Sequence, residues 1–134
     1  MSNLNKIKVI KTREIANNLG NIIKYFDNKN KFFKGFGEVY FSEIKKNKVK
    51  GWNLHKRFQS VIMVINGHVR FTFMSYDERE KKNITLSRTF PKIIIIPNNI
   101  WYKFTSISRL STIVCLINKK HNPSETVKKN LTEN

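Results

Sequence analysis

The sequence predicts an all-β protein, either a sandwich or a barrel, with jelly-roll closure favoured. Eight or more short segments are rich in β-branched and aromatic residues, and they either alternate in polarity or are continuously apolar, which is typical of strands. Tight-turn residues separate them, and no segment between them is suited to be a crossover helix. At 134 residues the chain has the size of one domain, so a single domain over residues 1–134 is expected.

The strand pattern is densest after residue 36. Asn66-Gly67 predicts a hairpin, because both central residues of a type I′ turn need positive φ. The return strand alternates, with Val69 and Phe71 on one side and Arg70 on the other. The predicted strands are Ile7–Thr12, Asn21–Phe26, Gly37–Ile44, Val49–Phe58, Ser60–Ile65, Val69–Met74, Ile84–Phe90, Lys92–Pro97, Trp101–Ile107 and Thr112–Asn118.

Little helix is predicted. Arg13–Leu19 is long enough for one turn. The run Asn122-Pro123-Ser124-Glu125 has an asparagine suited to the N-cap, a proline at the first helical position and an acidic residue at the third. It predicts a short C-terminal helix, or a frayed tail, that continues to about Asn130 within the terminal segment 121–134.

The formal net charge of +17 admits two kinds of anionic partner, a nucleic acid or a small ligand. The lysines are scattered through every segment instead of forming one stripe. A solvated basic surface is therefore the first interpretation, attraction of a small anionic ligand the second, and nucleic-acid binding the least favoured.

No membrane association is expected, because apolar runs such as Ile93–Ile96 are far shorter than the roughly 20 residues a spanning helix needs. The first 20 residues contain no apolar segment typical of a secretory signal. The single cysteine, Cys115, has no partner for an internal disulfide, and this predicts a reducing, cytoplasmic location.

The stretch KGWNLHK, residues 50–56, places Asn53 and His55 on the same side of an extended strand. Together with the segments up to LINKKHNPSE, it resembles the short cupins of nucleotide-sugar metabolism, the dTDP-4-dehydrorhamnose 3,5-epimerase-like proteins and the dTDP-4-keto-6-deoxyglucose 3,4-ketoisomerases. The similarity covers about Gly37 to Glu125. The second cupin signature falls on Pro97–Tyr102, with Asn99 at a usual glycine position, where asparagine tolerates positive φ.

The resemblance implies a cupin jelly-roll barrel that is usually a homodimer, binds a nucleotide sugar in its mouth and needs no cofactor. It also implies catalytic roles. His55 matches the second histidine of the ketoisomerase pattern and would act as the base that moves a proton between C3 and C4 of the sugar. Tyr40 matches a tyrosine that would polarise the keto oxygen or orient His55. Lys50 replaces an arginine that would meet the diphosphate, and keeps its charge without its fork.

Other positions depart from the family. The epimerase base becomes Asn53, which is either a ligand contact or a remnant of a lost base. The histidine of the second signature becomes Tyr102, expected to bind substrate, and the epimerase tyrosine becomes Cys115, expected to be inert packing. Arg70 is expected to pair with a ligand phosphate or to lie on the surface. No metal is expected, because His55 alone of the cupin ligand pattern is present.

Three functions remain open. The leading one is an isomerase or epimerase that acts on a dTDP-4-keto-6-deoxy sugar in deoxysugar or polysaccharide biosynthesis. The second is a catalytically degenerate cupin that binds a nucleotide sugar or a protein partner, since Asn53 cannot accept a proton. The third is a basic barrel that binds nucleic acid.

Overall fold

Two five-stranded antiparallel sheets face each other in the structure, a computed structural model that describes residues 3–130. The first sheet has the order β1-β9-β6-β11-β4, the second has the order β12-β5-β10-β7-β8, and β2 pairs with β3 in a small hairpin. The strands are β1 Lys8–Lys11, β2 Glu14–Ile15, β3 Ile22–Ile23, β4 Glu38–Lys45, β5 Val49–His55, β6 Ser60–Asn66, β7 His68–Met74, β8 Lys81–Ser87, β9 Lys92–Ile96, β10 Trp101–Ser106, β11 Leu110–Ile117 and β12 Thr126–Lys128.

The connections make a jelly roll. From β4 to β7 the chain alternates between the two sheets, and β8 to β11 return beside their earlier counterparts, so that β4-β11-β6-β9 lies opposite β5-β10-β7-β8. β1 extends the first sheet next to β9, and β12 extends the second next to β5. The predicted all-β class is confirmed.

The core lies between the two inner faces. Phe71 and Phe73 project inward from β7, and the ring centroid of Phe71 lies 5.6 Å from that of Phe104 on β10. Ile62 and Ile113 face them from the first sheet. These side chains are fully or almost fully buried. Burial of each side chain of this size contributes about 1.5–3 kcal/mol, and the core thus fixes which residues point inward.

The first sheet is also covered on its outer face, which explains why its central strands are apolar on both sides. The segment between β3 and β4 packs over β6, β9 and β11 and contributes Tyr25, Phe26, Phe32 and Phe33. The Tyr25 hydroxyl donates a hydrogen bond to the carbonyl oxygen of Val61.

The hairpin predicted at Asn66-Gly67 is wrong. β6 and β7 belong to different sheets, so Gly67 marks the corner at which the chain crosses from one sheet to the other. Gly67 does adopt positive φ, +86°, and a Cβ there would lie 2.3 Å from Ser111 Oγ. The residue type was informative about the local backbone, but a turn of this kind does not determine whether the following strand pairs with the preceding one.

The predicted C-terminal helix is wrong as well. Asn122 Oδ1 does accept a hydrogen bond from the Ser124 amide, but the cap begins only a 3-10 turn, Pro123–Glu125, and the chain then enters β12. Pairing of β12 with β5 supplies backbone partners that favour the extended form. Residues 131–134 of the predicted tail lie outside the described residues. The turn predicted at Arg13–Leu19 begins instead with the short strand β2.

Candidate active site

A bulge on β5 determines which side chains of KGWNLHK face the space between the sheets. Lys50 lies opposite Phe104 and Asn53 lies opposite Tyr102, so β5 carries one residue more than β10 between these pairs. Lys50 and Asn53 therefore face the same side, although they are three residues apart. Gly51 permits the bulge: its φ is +122°, and a Cβ would lie 2.7 Å from the Lys103 Cα and the Tyr102 carbonyl oxygen.

A cavity of about 420 Å³ opens between the sheets beside this bulge. Its volume falls within the range of small-molecule sites. The buried residues Ile62, Phe104 and Ile113 form its inner part, while the exposed Lys50 and Lys128 lie towards its opening. It is lined by Glu38, Tyr40, Ser42, Lys50, Asn53, His55, Ile62, Tyr102, Phe104, Ile113, His121, Pro123, Thr126 and Lys128.

His55 is held in the cavity wall by contacts on both ring nitrogens. Its Nε2 lies 3.0 Å from the Tyr102 hydroxyl, and its Nδ1 lies 2.9 Å from Thr126 Oγ1. The ring also stacks on Phe58, with 4.3 Å between centroids. The side chain is only 8% exposed. Its orientation is therefore fixed by three neighbours from three different parts of the chain.

Burial lowers the pKa of His55 to about 4, and the nearby His121 and Lys128 add to the effect. The imidazole is therefore neutral at pH 7. A neutral imidazole has one donor and one acceptor nitrogen, so one of the two neighbouring hydroxyls donates to it and the other accepts from it. A neutral imidazole in a cavity wall has a lone pair with which to accept a proton.

Two tyrosines line the cavity together with this histidine, and a thiol lies next to one of them, Tyr40. Burial raises the pKa of Tyr40, with smaller contributions from Cys115 and Tyr102, and burial also raises the pKa of Tyr102. Both phenols are therefore protonated hydrogen-bond donors at neutral pH. Cys115 is fully buried opposite Tyr40 in the β4–β11 pairing, and burial raises the pKa of its thiol to about 11. Such a thiol is a packing group, not a nucleophile.

The opening of the cavity is positively charged. Lys50 Nζ donates to Ser42 Oγ at 2.8 Å, and Lys128 Nζ donates to Asn53 Oδ1 at 3.2 Å. Within residues 3–130, Glu38 is the only carboxylate in the lining, and its Oε1 accepts from the His121 amide at 3.0 Å. Two ammonium groups at a partly enclosed opening favour an anionic ligand.

Sequence reasoning missed the part of the site that comes after residue 120. His121, Thr126 and Lys128 all line the cavity, and the last two lie on β12. The sequence feature that could have predicted β12 is the alternation of polar and apolar residues in Thr126-Val127-Lys128. In the structure Val127 packs against the cluster that contains Trp52, and its two neighbours face the cavity. Three residues are too short a run for that alternation to outweigh a strong helix-start motif.

Comparison with known proteins identifies the family. The family model described as "FdtA: WxcM-like, C-terminal" matches residues 5–132. The chain belongs to the FdtA family. A comparison with curated protein sequences found no significant match.

Solved structures share the fold of this FdtA-family chain. A dTDP sugar isomerase from Desulfovibrio desulfuricans G20 aligns with a TM-score of 0.88 at 21% identity over 95% of this chain and 85% of that one. A sugar 3,4-ketoisomerase from Thermoanaerobacterium thermosaccharolyticum, in complex with TDP, gives 0.82 at 20% over 94% and 90%. A dTDP-6-deoxy-D-glucose-3,5-epimerase from Legionella pneumophila gives 0.84 at 14% over 97% and 76%. The predicted cupin jelly roll is confirmed.

The FdtA-family chain brings together most of the residues predicted for its site. Tyr40, Lys50, Asn53, His55 and Tyr102 all line the cavity, and their roles remain predictions. Arg70 does not join them. It is exposed on the outer face of the second sheet, because Phe71, its neighbour on β7, occupies the inner face.

No metal-binding arrangement of three or more His, Cys, Asp or Glu side chains occurs among the described residues. Within the same range, no helix is long and apolar enough to cross a membrane.

Proposed function

We propose that this protein catalyses proton transfer next to the carbonyl group of a dTDP-linked 4-keto-6-deoxy sugar, as an isomerase or epimerase of deoxysugar or polysaccharide biosynthesis. The observation that carries the proposal is the neutral imidazole of His55, held in the wall of a cavity whose opening is cationic. Similar structures point to the same class of substrate, since one contains TDP and another contains dTDP-4-keto-L-rhamnose.

The charged opening suits the nucleotide part of such a substrate. A diphosphate carries negative charge on oxygens that accept hydrogen bonds from ammonium groups. Lys50 and Lys128 are the candidates, each already oriented by a neutral partner, Ser42 or Asn53. The amide of Asn53 cannot take a proton, and its role in the proposal is to position Lys128 and to contact the sugar.

The proposed reaction is a keto isomerisation with His55 as the base. The C3–H bond breaks, the proton goes to the imidazole, and the electron pair moves toward the C4 oxygen to give an enediolate. Tyr40 donates a hydrogen bond to that oxygen and stabilises its charge. The O3–H proton then moves to O4, which shifts the enediolate charge to O3, and the imidazolium of His55 returns its proton to C4. C4 then carries a hydroxyl and the ketone lies at C3. Atoms and electrons balance without a cofactor.

His55 must exchange a hydrogen bond before it can act. In the structure the acceptor nitrogen of the imidazole already receives a hydrogen bond from a hydroxyl. If Nε2 is the acceptor, the donor is Tyr102, and if Nδ1 is the acceptor, the donor is Thr126. We propose that the sugar displaces the Tyr102 hydroxyl from Nε2, while Thr126 keeps Nδ1–H as the donor nitrogen. Contacts of this kind commonly rearrange when substrate binds.

The test is solvent exchange at the sugar. In D2O the wild-type protein is expected to introduce deuterium at C3 of dTDP-4-keto-6-deoxyglucose, and His55→Gln is expected to abolish this. His68→Gln is the matched control, because His68 is exposed, contacts Ser108 and is not one of the residues that line the cavity. Absence of exchange in the wild-type protein contradicts the proposal.

If exchange is absent but dTDP still raises the melting temperature, the second candidate, a nucleotide-sugar-binding cupin without catalysis, replaces the first. Asn53 in place of a histidine is the observation that favours this second candidate.

We also propose that the protein is a cytoplasmic homodimer. The outer face of β4 presents the exposed side chains of Val39 and Phe41, beside Phe36, and β4 is an edge strand that pairs only with β11 within the described chain. A second copy that covers this face would bury them. Phe41→Lys is expected to shift the sedimenting species from dimer to monomer, whereas Phe90→Lys, at an equally exposed phenylalanine elsewhere, is not. A monomeric wild-type protein refutes the dimer.

A further inference from the structure

A second concave site lies on the outer face of the second sheet. This outer depression has a volume of about 360 Å³ and lies on the side of β5 and β10 that faces away from the nucleotide-sugar cavity. Trp52, only 1% exposed, forms its base, and side chains from β7, β8 and β10 surround it: Arg70, Lys81 and Lys103. The bulge that turns Lys50 and Asn53 inward is what turns Trp52 outward.

Three cations converge on the outer depression. Lys103 Nζ lies 4.6 Å and Lys81 Nζ lies 5.9 Å from the centroid of the Trp52 ring, so both ammonium groups are held over one indole. Arg70 belongs to the same wall, since it pairs with Thr105, two residues along β10 from Lys103.

These three cations have no acidic partner among the described residues, 3–130. No carboxylate among residues 3–130 lines the outer depression, and the ion pairs of that range use other basic residues, Arg57, Arg88 and Lys129. Lys129, which also lies near a tryptophan of this sheet, pairs with Glu78 at 2.9 Å. Lys129 is therefore neutralised by a carboxylate, whereas Arg70, Lys81 and Lys103 have no carboxylate partner among the described residues.

The clustering has an electrostatic cost. The pKa of Lys103 is lowered by burial first and then by the charges of Lys81 and Arg70. Like charges held over a largely buried aromatic ring repel one another, and an anion placed between them removes that repulsion.

We propose that the outer depression binds a small phosphate anion, a monophosphate or diphosphate group, at a site separate from the nucleotide-sugar cavity. Phosphoryl oxygens accept charge-assisted hydrogen bonds from guanidinium and ammonium groups together. A compact pocket with three convergent cations fits a discrete dianion, whereas a nucleic acid backbone needs cations spaced along an extended groove.

The experiment is an NMR titration of the full chain with inorganic diphosphate at constant ionic strength. The reporters are the indole N–H resonance of Trp52 and the Cε resonance of Lys103. Saturable shifts of both are expected, together with a rise in the pKa of Lys103. Arg70→Gln and Lys103→Gln are each expected to weaken this binding by about tenfold, as for the loss of one charge-assisted hydrogen bond. Lys45→Gln, a lysine on the other sheet, serves as the matched control.

The cavity variant Lys50→Gln separates the two sites, and it is expected to leave the Trp52 and Lys103 shifts unchanged. The proposal is refuted if those shifts do not saturate, if Arg70→Gln and Lys103→Gln leave them unaltered, or if Lys50→Gln removes them. Binding of single-stranded DNA with steep salt dependence, without competition by diphosphate, also refutes it and assigns the face to polyanions. Solvent exchange at the sugar is measured separately and is expected to persist in Lys103→Gln, so failure of either proposal is recognised independently.

Discussion

Replacement of His55 by glutamine is expected to make the protein less sensitive to acid. The pKa of this histidine lies at about 4 in the folded protein, compared with 6.5 for the ordinary group. Between these two values the unfolded chain binds a proton that the folded chain does not, so the free energy of unfolding falls as the pH falls. Since one pKa unit corresponds to 1.36 kcal/mol, the loss reaches about 3 kcal/mol at pH 4 and below.

Urea unfolding measured from pH 7.5 to pH 4 tests this magnitude. The wild-type protein is expected to lose about 3 kcal/mol more than His55→Gln over that interval, with the difference developing below pH 6.5. Carboxylates titrate in both proteins, and their contribution cancels in the comparison. His68→Gln, at an exposed histidine, is expected to follow the wild-type curve. Parallel curves for wild type and His55→Gln would refute the claim that His55 is buried and neutral.

Three further substitutions examine the site. Thr126→Val removes the hydroxyl that lies 2.9 Å from the His55 Nδ1. It is expected to lower the free energy of unfolding in urea by about 1–3 kcal/mol and to slow deuterium incorporation at the sugar, and Thr126→Ser is expected to restore both. An unchanged rate of incorporation in Thr126→Val would show that Thr126 does not position His55. Gly51→Ala forces a Cβ to within 2.7 Å of backbone atoms at positive φ and is expected to cost at least about 2 kcal/mol, whereas a neutral effect would contradict the bulge. Lys50→Gln is expected to raise KM for the dTDP sugar about tenfold and to weaken its salt dependence, while Lys45→Gln does neither; an unaltered KM would exclude Lys50 as the diphosphate ligand.

The two-sheet fold and much of the cavity follow from patterns that the sequence carries locally. Alternation placed Phe71 on one side of β7 and Arg70 on the other, and it placed Asn53 and His55 together on β5. These relations hold along one strand, and burial of the apolar face determines which side becomes the interior.

Relations between distant segments could not be predicted in this way. The bulge beside Gly51 depends on the register of β5 against β10, a strand about 50 residues further along the chain. It places Lys50 on the same side as Asn53, three residues away, which simple alternation along β5 does not do. The crossing at Gly67 depends on which strands become neighbours, not on the turn itself. Thr126 and Lys128 line the cavity only because β12 pairs with β5 and extends the second sheet. Each of these features depends on pairing between strands that are distant in the sequence, and the residues of one short segment do not determine that pairing.

The central claim, that the neutral His55 imidazole takes the proton from C3, is tested most directly by the pH dependence of deuterium incorporation at low substrate concentration. Under that condition the rate reports ionisations of the free protein. The wild-type rate is expected to rise with pH through a midpoint near 4 and then to stay level through neutrality, because deprotonation of His55 activates the base. Incorporation by His55→Gln at the wild-type rate, or a wild-type midpoint near the ordinary histidine value, would contradict the account.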